Sequence, residues 1–557
     1  MNAKQYIEEK VKNILNIEKE ITIEIPPKEN MGDFSIQCAS LRTEKLKTPM
    51  EVANFIKENF KDEKNYFEDI KVMGPYINFY LDYNLFSIKV IEEIEKLGNH
   101  YGSKNQGNKE ALLIEHTSIN PNAEPHIGRC RNSLIGDFLS NLYAFTGYQV
   151  EKHYYVNDLG KKIAFLVIGI EKYGLPNDSF SDILDIYVKI NKEAKENDEL
   201  EKQAFDYLEL IENGNEEMIQ KFKNVTDKCV EGQMKIFNEL GITFDIFTHE
   251  SDFVYNHILQ EILNKLDEKK KLRKDDLGRY YVDLSDYNIP TKEPVLVLTR
   301  SNGTSLYPAK DIAYTMYKMK RNNKHNYIVL GEDQEVYFKQ INATLDILGY
   351  SAPKLVSYSY VLLEGDKMST SEGTVVLVTD FIKAVTSTLK EEFKKRNTEI
   401  SDENLKKLCN ACIKFTMLNV SRKKIVNFNL ENATSFTGES GMYILYSIVR
   451  MNSILKNNKI ELTKEIKFET DIEKKLVNTL SKFPDLVNEL LESSEPAHLT
   501  KYIFNLTQDF SRFYEQVNIS KEENKVLKSS RLRLVKAIKT TLTNALSILG
   551  IETVDKM

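Results

Sequence analysis

The stretch ALLIEHTSINPNAEPHIGRCRNSLIGD, residues 111–137, decides the fold. ALLIEHTS is a short apolar run bounded by turn residues and reads as a buried strand. INPNAEPHIG is rich in Pro and Asn and reads as a loop. A helix is predicted from about Arg129 to Thr146, and QVEKHYYV (149–156) reads as the next strand. Strand, loop, helix and strand in that order open a doubly wound α/β sheet, which binds ligands beyond the carboxyl ends of its strands. His126, Gly128 and Arg129 fall where the helix begins. A helix N-terminus offers unpaired N–H groups and a positive dipole end, which suit an anion. Gly128 lets a ligand approach the backbone. His126, Arg129 and Arg131 are expected to add donors for phosphate oxygens. Taken alone, a His-Gly turn before an ordinary amphipathic helix explains the same residues.

Upstream, residues 1–20 carry apolar positions at helical spacing. ITIEI (21–25) alternates as a strand, helical text is expected through residue 60, and KVMGPYINFYL (71–81) returns to strand. The polar, Gly- and Asn-rich YGSKNQGNK (101–109) marks a boundary. Downstream, residues 160–275 are mostly charged helical text, whose charge run is most simply a solvated face. PVLVLTR (294–300) and NYIVLGED (326–333) restore strands, with a helix from about Lys310 between them. GDKMSTSEG (365–373) is a Gly-flanked loop with a lysine and three hydroxyls, able to fold over phosphates. Beyond residue 380 the chain reads as almost wholly helical. The expected architecture is therefore α/β and multidomain. It has an N-terminal α+β domain (1–108), a Rossmann-type parallel-sheet domain (109–405) with a helical insertion over about 160–285, and a helical bundle (406–557).

Composition bounds the function. The 557 residues hold 76 Lys+Arg against 83 Asp+Glu, a formal charge of −7, so any nucleic-acid partner needs a local basic surface. Five scattered cysteines argue for reduced thiols in a cytoplasmic setting rather than a disulfide framework. The charged start is not a signal peptide, and no apolar run approaches a membrane span. Cys409 and Cys412 form a lone CxxC in apolar helical text and read as core, so no protein-bound metal or zinc is expected. His153 and His325 read as structural.

A histidine-glycine loop in the first half of a nucleotide-binding sheet and a KMS loop at the end of the second resemble the HIGH and KMSKS signatures of class I aminoacyl-tRNA synthetases. PPKENMGDFSIQCA (26–39), YYVNDLGKKI (154–163), RSNGTSLYPAKDIAY (300–314), GEDQEVYFKQ (331–340) and SFTGESGMYILYSIVRMNSIL (435–455) narrow the resemblance to arginyl-tRNA synthetases. It spans residues 20 to 557. It implies ATP-dependent activation of L-arginine to an arginyl-adenylate, with Mg2+ accompanying the ATP. Transfer follows to the 2′-OH of the terminal adenosine of tRNA(Arg), and the first step in this family typically requires bound tRNA. The enzyme is expected to be a monomer with no membrane partner.

The resemblance also assigns residues. His126, Arg129 and Lys367 become catalytic. His126, Gly128, Arg129, Lys367, Met368 and Ser369 surround ATP. Glu115, Asn120, His126, Glu250, Tyr307, Asp311 and Gln334 surround arginine. A planar guanidinium needs carboxylates in fixed geometry, and Tyr307 and Asp311, four apart at the start of a predicted helix, share one face. Arg129 stands where the signature has its second histidine, and Thr370 where it has its second lysine. Lys367 and Arg129 are the candidate cations for pyrophosphate. The N-terminal unit resembles the family's additional domain, which touches the tRNA corner. The C-terminal unit resembles its anticodon-binding bundle, in which Tyr443, Tyr446, Arg450, Phe513 and Tyr514 could stack on bases or fill the core. Those two departures suggest the competing reading, a catalytically impaired synthetase-like tRNA-binding protein. The intact set of pocket residues argues against it. The absence of zinc-type cysteines argues against a sister enzyme specific for cysteine.

Overall fold

The computed structural model describes residues 3–28, 31–175, 177, 179–253, 258–322, 324–364, 376–458, 461–463 and 465–557. The chain divides into two compact units.

The first unit holds residues 1–102, 450–485 and 505–542. Its three-stranded antiparallel sheet runs in the order β1 (Phe34–Gln37), β3 (Tyr76–Leu81), β2 (Phe67–Met73). KVMGPYINFYL is thus the turn and flanks of a hairpin, reversed at Gly74, whose φ is +61°. The text expected to be helical through residue 60 contains β1 and keeps a regular helix only over Pro49–Asn59, where Thr48 and Glu51 form a capping box. The strand expected at 21–25 does not form. Glu24 makes one isolated bridge to Ser35, and Pro26 and Pro27, which have no N–H to donate, stop any ladder. Ile21 and Ile23 still bury their side chains. Phe513 is 0 % exposed and belongs to the core, whereas Tyr514 is exposed with the Arg450 guanidinium 5.3 Å from its ring centre.

The second unit holds residues 103–449, 486–504 and 543–557. Its parallel five-stranded sheet is ordered β11 (Lys354–Tyr358), β10 (Asn326–Gly331), β4 (Ala111–Glu115), β5 (Gln149–Val156), β6 (Ile246–His249). The chain winds outward from β4 in one direction through β5 and β6, and in the other through β10 and β11. The order therefore reverses between β4 and β10, where such sheets hold their ligands. β6 lies inside the charge-rich stretch read as helical. Four helices precede it: Lys161–Tyr173, Phe180–Ala194, Asp198–Glu212 and Glu216–Glu239. PVLVLTR supplies β9 (Val295–Val297), which joins β7 (Leu272–Lys274) and β8 (Tyr280–Asp283) in a separate antiparallel sheet.

Two helices position the site. The helix Ile127–Phe145 follows β4 and is buried along most of its length. The helix Tyr307–Arg321 has Pro308 in its first turn. Tyr314 on it stacks on Tyr155 of β5, ring centres 4.3 Å apart and planes 11° from parallel. Arg321 at its far end forks onto Glu151 of β5 with two 2.6 Å bonds.

Candidate active site

A cavity of about 460 Å³ opens at the carboxyl ends of β4 and β10. Glu115, His126, Gly128, Arg129, Tyr307, Asp311 and Gln334 all line it. Four elements deliver them. Glu115 is the last residue of β4, and Ile328 of β10 lies beside it in register. His126 is the N-cap of the helix Ile127–Phe145, with φ −102° and no side-chain capping bond. Gly128 keeps room for that histidine, since a Cβ there would stand 3.1 Å from His126 Cε1. Tyr307 and Asp311 share one face of the helix Tyr307–Arg321. Gln334 ends the short 3-10 turn that follows β10.

The backbone around His126 is tied to the segment that leaves the KMS loop. Ile127 N–H donates to the Val376 carbonyl (3.0 Å), Val378 N–H donates to the Pro125 carbonyl (2.9 Å), and His126 bridges to Leu377. Lys367, Met368 and Ser369, together with Thr370, lie outside the described residues.

The cavity's charges are unevenly matched. Asp311 is partly buried and accepts a 2.5 Å hydrogen bond from Tyr337 Oη. Burial pushes its carboxyl up to about 7, against the lowering effect of the Tyr337 hydrogen bond, with Glu250 and Glu115 adding to the rise. Glu115 is ion-paired with Lys318, itself 0 % exposed and on the cavity wall. Burial, then the nearby Arg129, holds the His126 imidazole below its ordinary range, so it is neutral at pH 7. Arg129 is exposed along the wall and has no carboxylate within ion-pair distance among the described residues. Glu124 is engaged instead by the Thr379 hydroxyl.

Two of the assigned residues do not line this cavity. Asn120 is exposed on the loop, and its carbonyl accepts from Gln233 Nε2 at 3.1 Å. Glu250 is 1 % exposed, with Lys310 Nζ 2.8 Å from its Oε1. Arg131 is not a phosphate donor. It is 1 % exposed and gives its guanidinium to the carbonyls of Ser359, Val420, Ser421 and Lys424 at 2.7–3.2 Å. Cys409 and Cys412 are buried, and no group of three or more His, Cys, Asp or Glu among the described residues could hold a metal ion. His153 is buried with Nε2 2.5 Å from Glu151, and His325 Nε2 lies 2.9 Å from Glu110.

Several site residues escape sequence reasoning. Lys318 had a usable signal, because it lies seven positions after Asp311 and so returns to the same helix face. Tyr337 had none, since its contact with Asp311 joins two helices. Thr117, beside Glu115, has φ +59°, a strained value for a β-branched residue. Asn132 Oδ1 accepts its N–H at 2.7 Å, and Ser133 Oγ lies 2.7 Å from its hydroxyl.

A parallel sheet with its switch point beside a His-Ile-Gly helix start, tied by the backbone to the exit of a KMS loop, defines a class I aminoacyl-tRNA synthetase. Residues 91–431 match the family model described as tRNA synthetases class I (R), catalytic domain. Residues 1–81 match the arginyl tRNA synthetase N terminal domain, and 444–557 the DALR anticodon binding domain. The chain belongs to the arginyl-tRNA synthetase family. It is 35% identical to an arginine–tRNA ligase of Methanocaldococcus jannaschii, covering 100% of both chains. It is likewise 35% identical to one of Methanococcus aeolicus, covering 96% of each. The arginyl-tRNA synthetase of Thermus thermophilus shares the fold at a TM-score of 0.82 and 23% identity, with full coverage of both chains.

Proposed function

We propose that the cavity between β4 and β10 binds L-arginine and ATP side by side. The observation that carries this is the convergence of Glu115, His126, Gly128, Arg129, Tyr307, Asp311 and Gln334 on one wall-to-wall space. The protein is an arginine–tRNA ligase that charges tRNA with arginine using ATP. In our reading, Asp311 and Tyr307 receive the guanidinium, with Glu250 behind them, and Glu115, Asn120 and Gln334 hold the amino-acid end. Adenine lies near Gly128, and His126, Arg129 and the Lys367–Ser369 loop gather the phosphates of ATP, which brings its Mg2+. The arginine carboxylate attacks the α-phosphorus in line and pyrophosphate leaves, giving arginyl-adenylate. The 2′-OH of the terminal adenosine of tRNA(Arg) then attacks the arginyl carbonyl. No protein nucleophile is needed. Positioning and neutralisation of developing phosphate charge supply the rate. A protein that retained the fold but lost catalysis has no reason to keep Asp311 and Glu115 aimed into one cavity.

We also read residues 1–108 as the tRNA-corner domain, 109–405 as the catalytic domain and 406–557 as the anticodon-binding bundle. The chain is read as a cytoplasmic monomer without bound zinc. Among the described residues no helix is long and apolar enough to cross a membrane. ATP–pyrophosphate exchange with arginine, measured with and without tRNA, tests the reading. Exchange that depends on arginine and rises with tRNA is expected, and its absence in both conditions refutes it.

A further inference from the structure

Glu250 presents an unusual balance. It is 1 % exposed, and among the described residues no backbone N–H or hydroxyl donates to either carboxylate oxygen. Lys310 Nζ, 2.8 Å from Oε1, is the cation that faces it. A buried carboxylate so poorly served is costly, and buried polar groups are otherwise almost always paired. Glu250 is also fixed in place. Asp158, itself fully buried, accepts the N–H of Ser251 at 2.9 Å and its hydroxyl at 2.5 Å, which locks the backbone next to Glu250. The charge of Glu250 nevertheless reaches the arginine cavity, where it raises the carboxyl of Asp311 and the phenols of Tyr307 and Tyr337.

Lys310 is placed to move. Its backbone belongs to the helix that carries Tyr307 and Asp311, while its four-carbon stem is flexible. It lines a second cavity of about 160 Å³, together with Glu212, Thr304 and Ser305. Glu212 is poorly satisfied there. Its closest ion-pair contact is Arg300 at 3.8 Å, and burial raises its carboxyl above the ordinary range. One lysine therefore sits between two acids, a buried one with no other close donor among the described residues and a more exposed one whose nearest ion-pair contact is 3.8 Å away.

We propose that Lys310 is a specificity-determining placeholder, which holds Glu250 while the arginine site is empty and swings its ammonium through the second cavity to Glu212 when a guanidinium arrives. The inference rests on assigning arginine to the main cavity. It explains rejection of lysine by exchange rather than by fit. A lysine ammonium at Glu250 replaces one ammonium with another and gains nothing. A guanidinium brings five donors in a planar fork, enough to engage Glu250 and Asp311 together. The resident cation thus sets a threshold that a simple amine does not cross.

A double-mutant cycle on the arginine KM of the full chain, in pyrophosphate exchange with tRNA present, tests it. Glu212→Gln removes the second resting place, and the arginine KM is expected to rise about fivefold, the factor for a coupling energy of about 1 kcal/mol. Lys310→Gln keeps an N–H donor for Glu250 but leaves no charge to move. In that background Glu212→Gln changes the KM less than twofold, and inhibition by free lysine strengthens about fivefold over the unaltered protein. An unchanged KM in Glu212→Gln alone, or an equal rise in both backgrounds, overturns the placeholder. Arginine-dependent exchange by the unaltered protein separates the two ideas. If it is absent, the arginine assignment falls and takes the placeholder with it. If it is present, the cycle alone decides.

Discussion

Asp311→Asn separates binding from stability at one position. The asparagine oxygen can still accept the Tyr337 hydroxyl that now lies 2.5 Å from Asp311 Oδ2, so the local packing survives. Two effects of opposite benefit follow. The guanidinium loses a desolvated charge partner, which costs about 3 kcal/mol or more, a rise in arginine KM of roughly 150-fold at pH 8. The fold gains, because the carboxyl rises from an ordinary 3.8 to about 7 on burial. Between those values the native state holds a proton that the unfolded chain has lost. Stability therefore falls as pH rises through the window, and the deficit is complete above about pH 7. At about 1.4 kcal/mol per unit the deficit is bounded at about 4 kcal/mol. Asparagine has no such deficit, so its melting temperature at pH 8 should exceed that of the unaltered protein, and the gap should close toward pH 4. The same titration gives the unaltered enzyme an arginine KM that rises as pH drops below about 7. Exchange kinetics from pH 6 to 8 and thermal melts over pH 4 to 8 read both effects. An Asp311→Asn protein with near-normal arginine KM refutes the pocket assignment. An unchanged melting temperature at pH 8 refutes the buried-carboxylate account.

Arg129→Ala should slow activation by about 2–4 kcal/mol, as loss of one preorganised donor does, while Arg129→His keeps measurable activity that declines between pH 6 and 7.5 as the imidazole loses its proton. Pyrophosphate exchange by the alanine variant at an ordinary rate would place Arg129 outside the chemistry. Lys367→Ala should lower the single-turnover activation rate more than it weakens ground-state ATP binding, because a pyrophosphate grip acts on the barrier. Equal rates would remove Lys367 from that role. Arg131→Met should lower the melting temperature by several degrees, since four carbonyls, that of Ser359 buried and the others partly so, lose their donor at about 1–3 kcal/mol for each one left unmet out of water. A melt matching the unaltered protein would contradict the observed wiring.

The opening strand, helix and strand were legible because one apolar run and one helix-start loop stand next to each other without ambiguity. β6 was not, because four residues of strand are too short to interrupt a pattern set by a hundred charged helical ones. β9 shows a different limit, since an apolar strand announces itself but not its partner, and PVLVLTR pairs outside the parallel sheet. Arg131 was misread for a reason of helical geometry. It lies two positions from Arg129, and such positions face opposite sides, so one meets the cavity and the other the core. Glu115 was legible as an end-of-strand residue and Asp311 as the same-face neighbour of Tyr307, although the helix begins at Tyr307 and so puts Asp311 beyond its first turn. Their partners Lys318 and Tyr337 were less so, because long-range pairing leaves no local mark.

The helix Tyr307–Arg321 gives these scattered choices a common cause. Asp311 and Lys318 are seven residues apart on it, hence about 10 Å along its axis at 1.5 Å per residue. Lys318 pairs with Glu115, so one helix carries both the carboxylate assigned to the guanidinium and the cation that holds the one assigned to the α-amino group. A loop could present the same two groups but would not hold the interval. Here the interval is fixed by the Tyr314–Tyr155 stack in the middle and the Arg321–Glu151 fork at the end, both on β5. Lys310, one residue before Asp311, occupies the nearby acid that a simple amine would seek. In our proposal, selectivity for arginine then comes from one rigid element that carries both an acid for the guanidinium and its own competing cation.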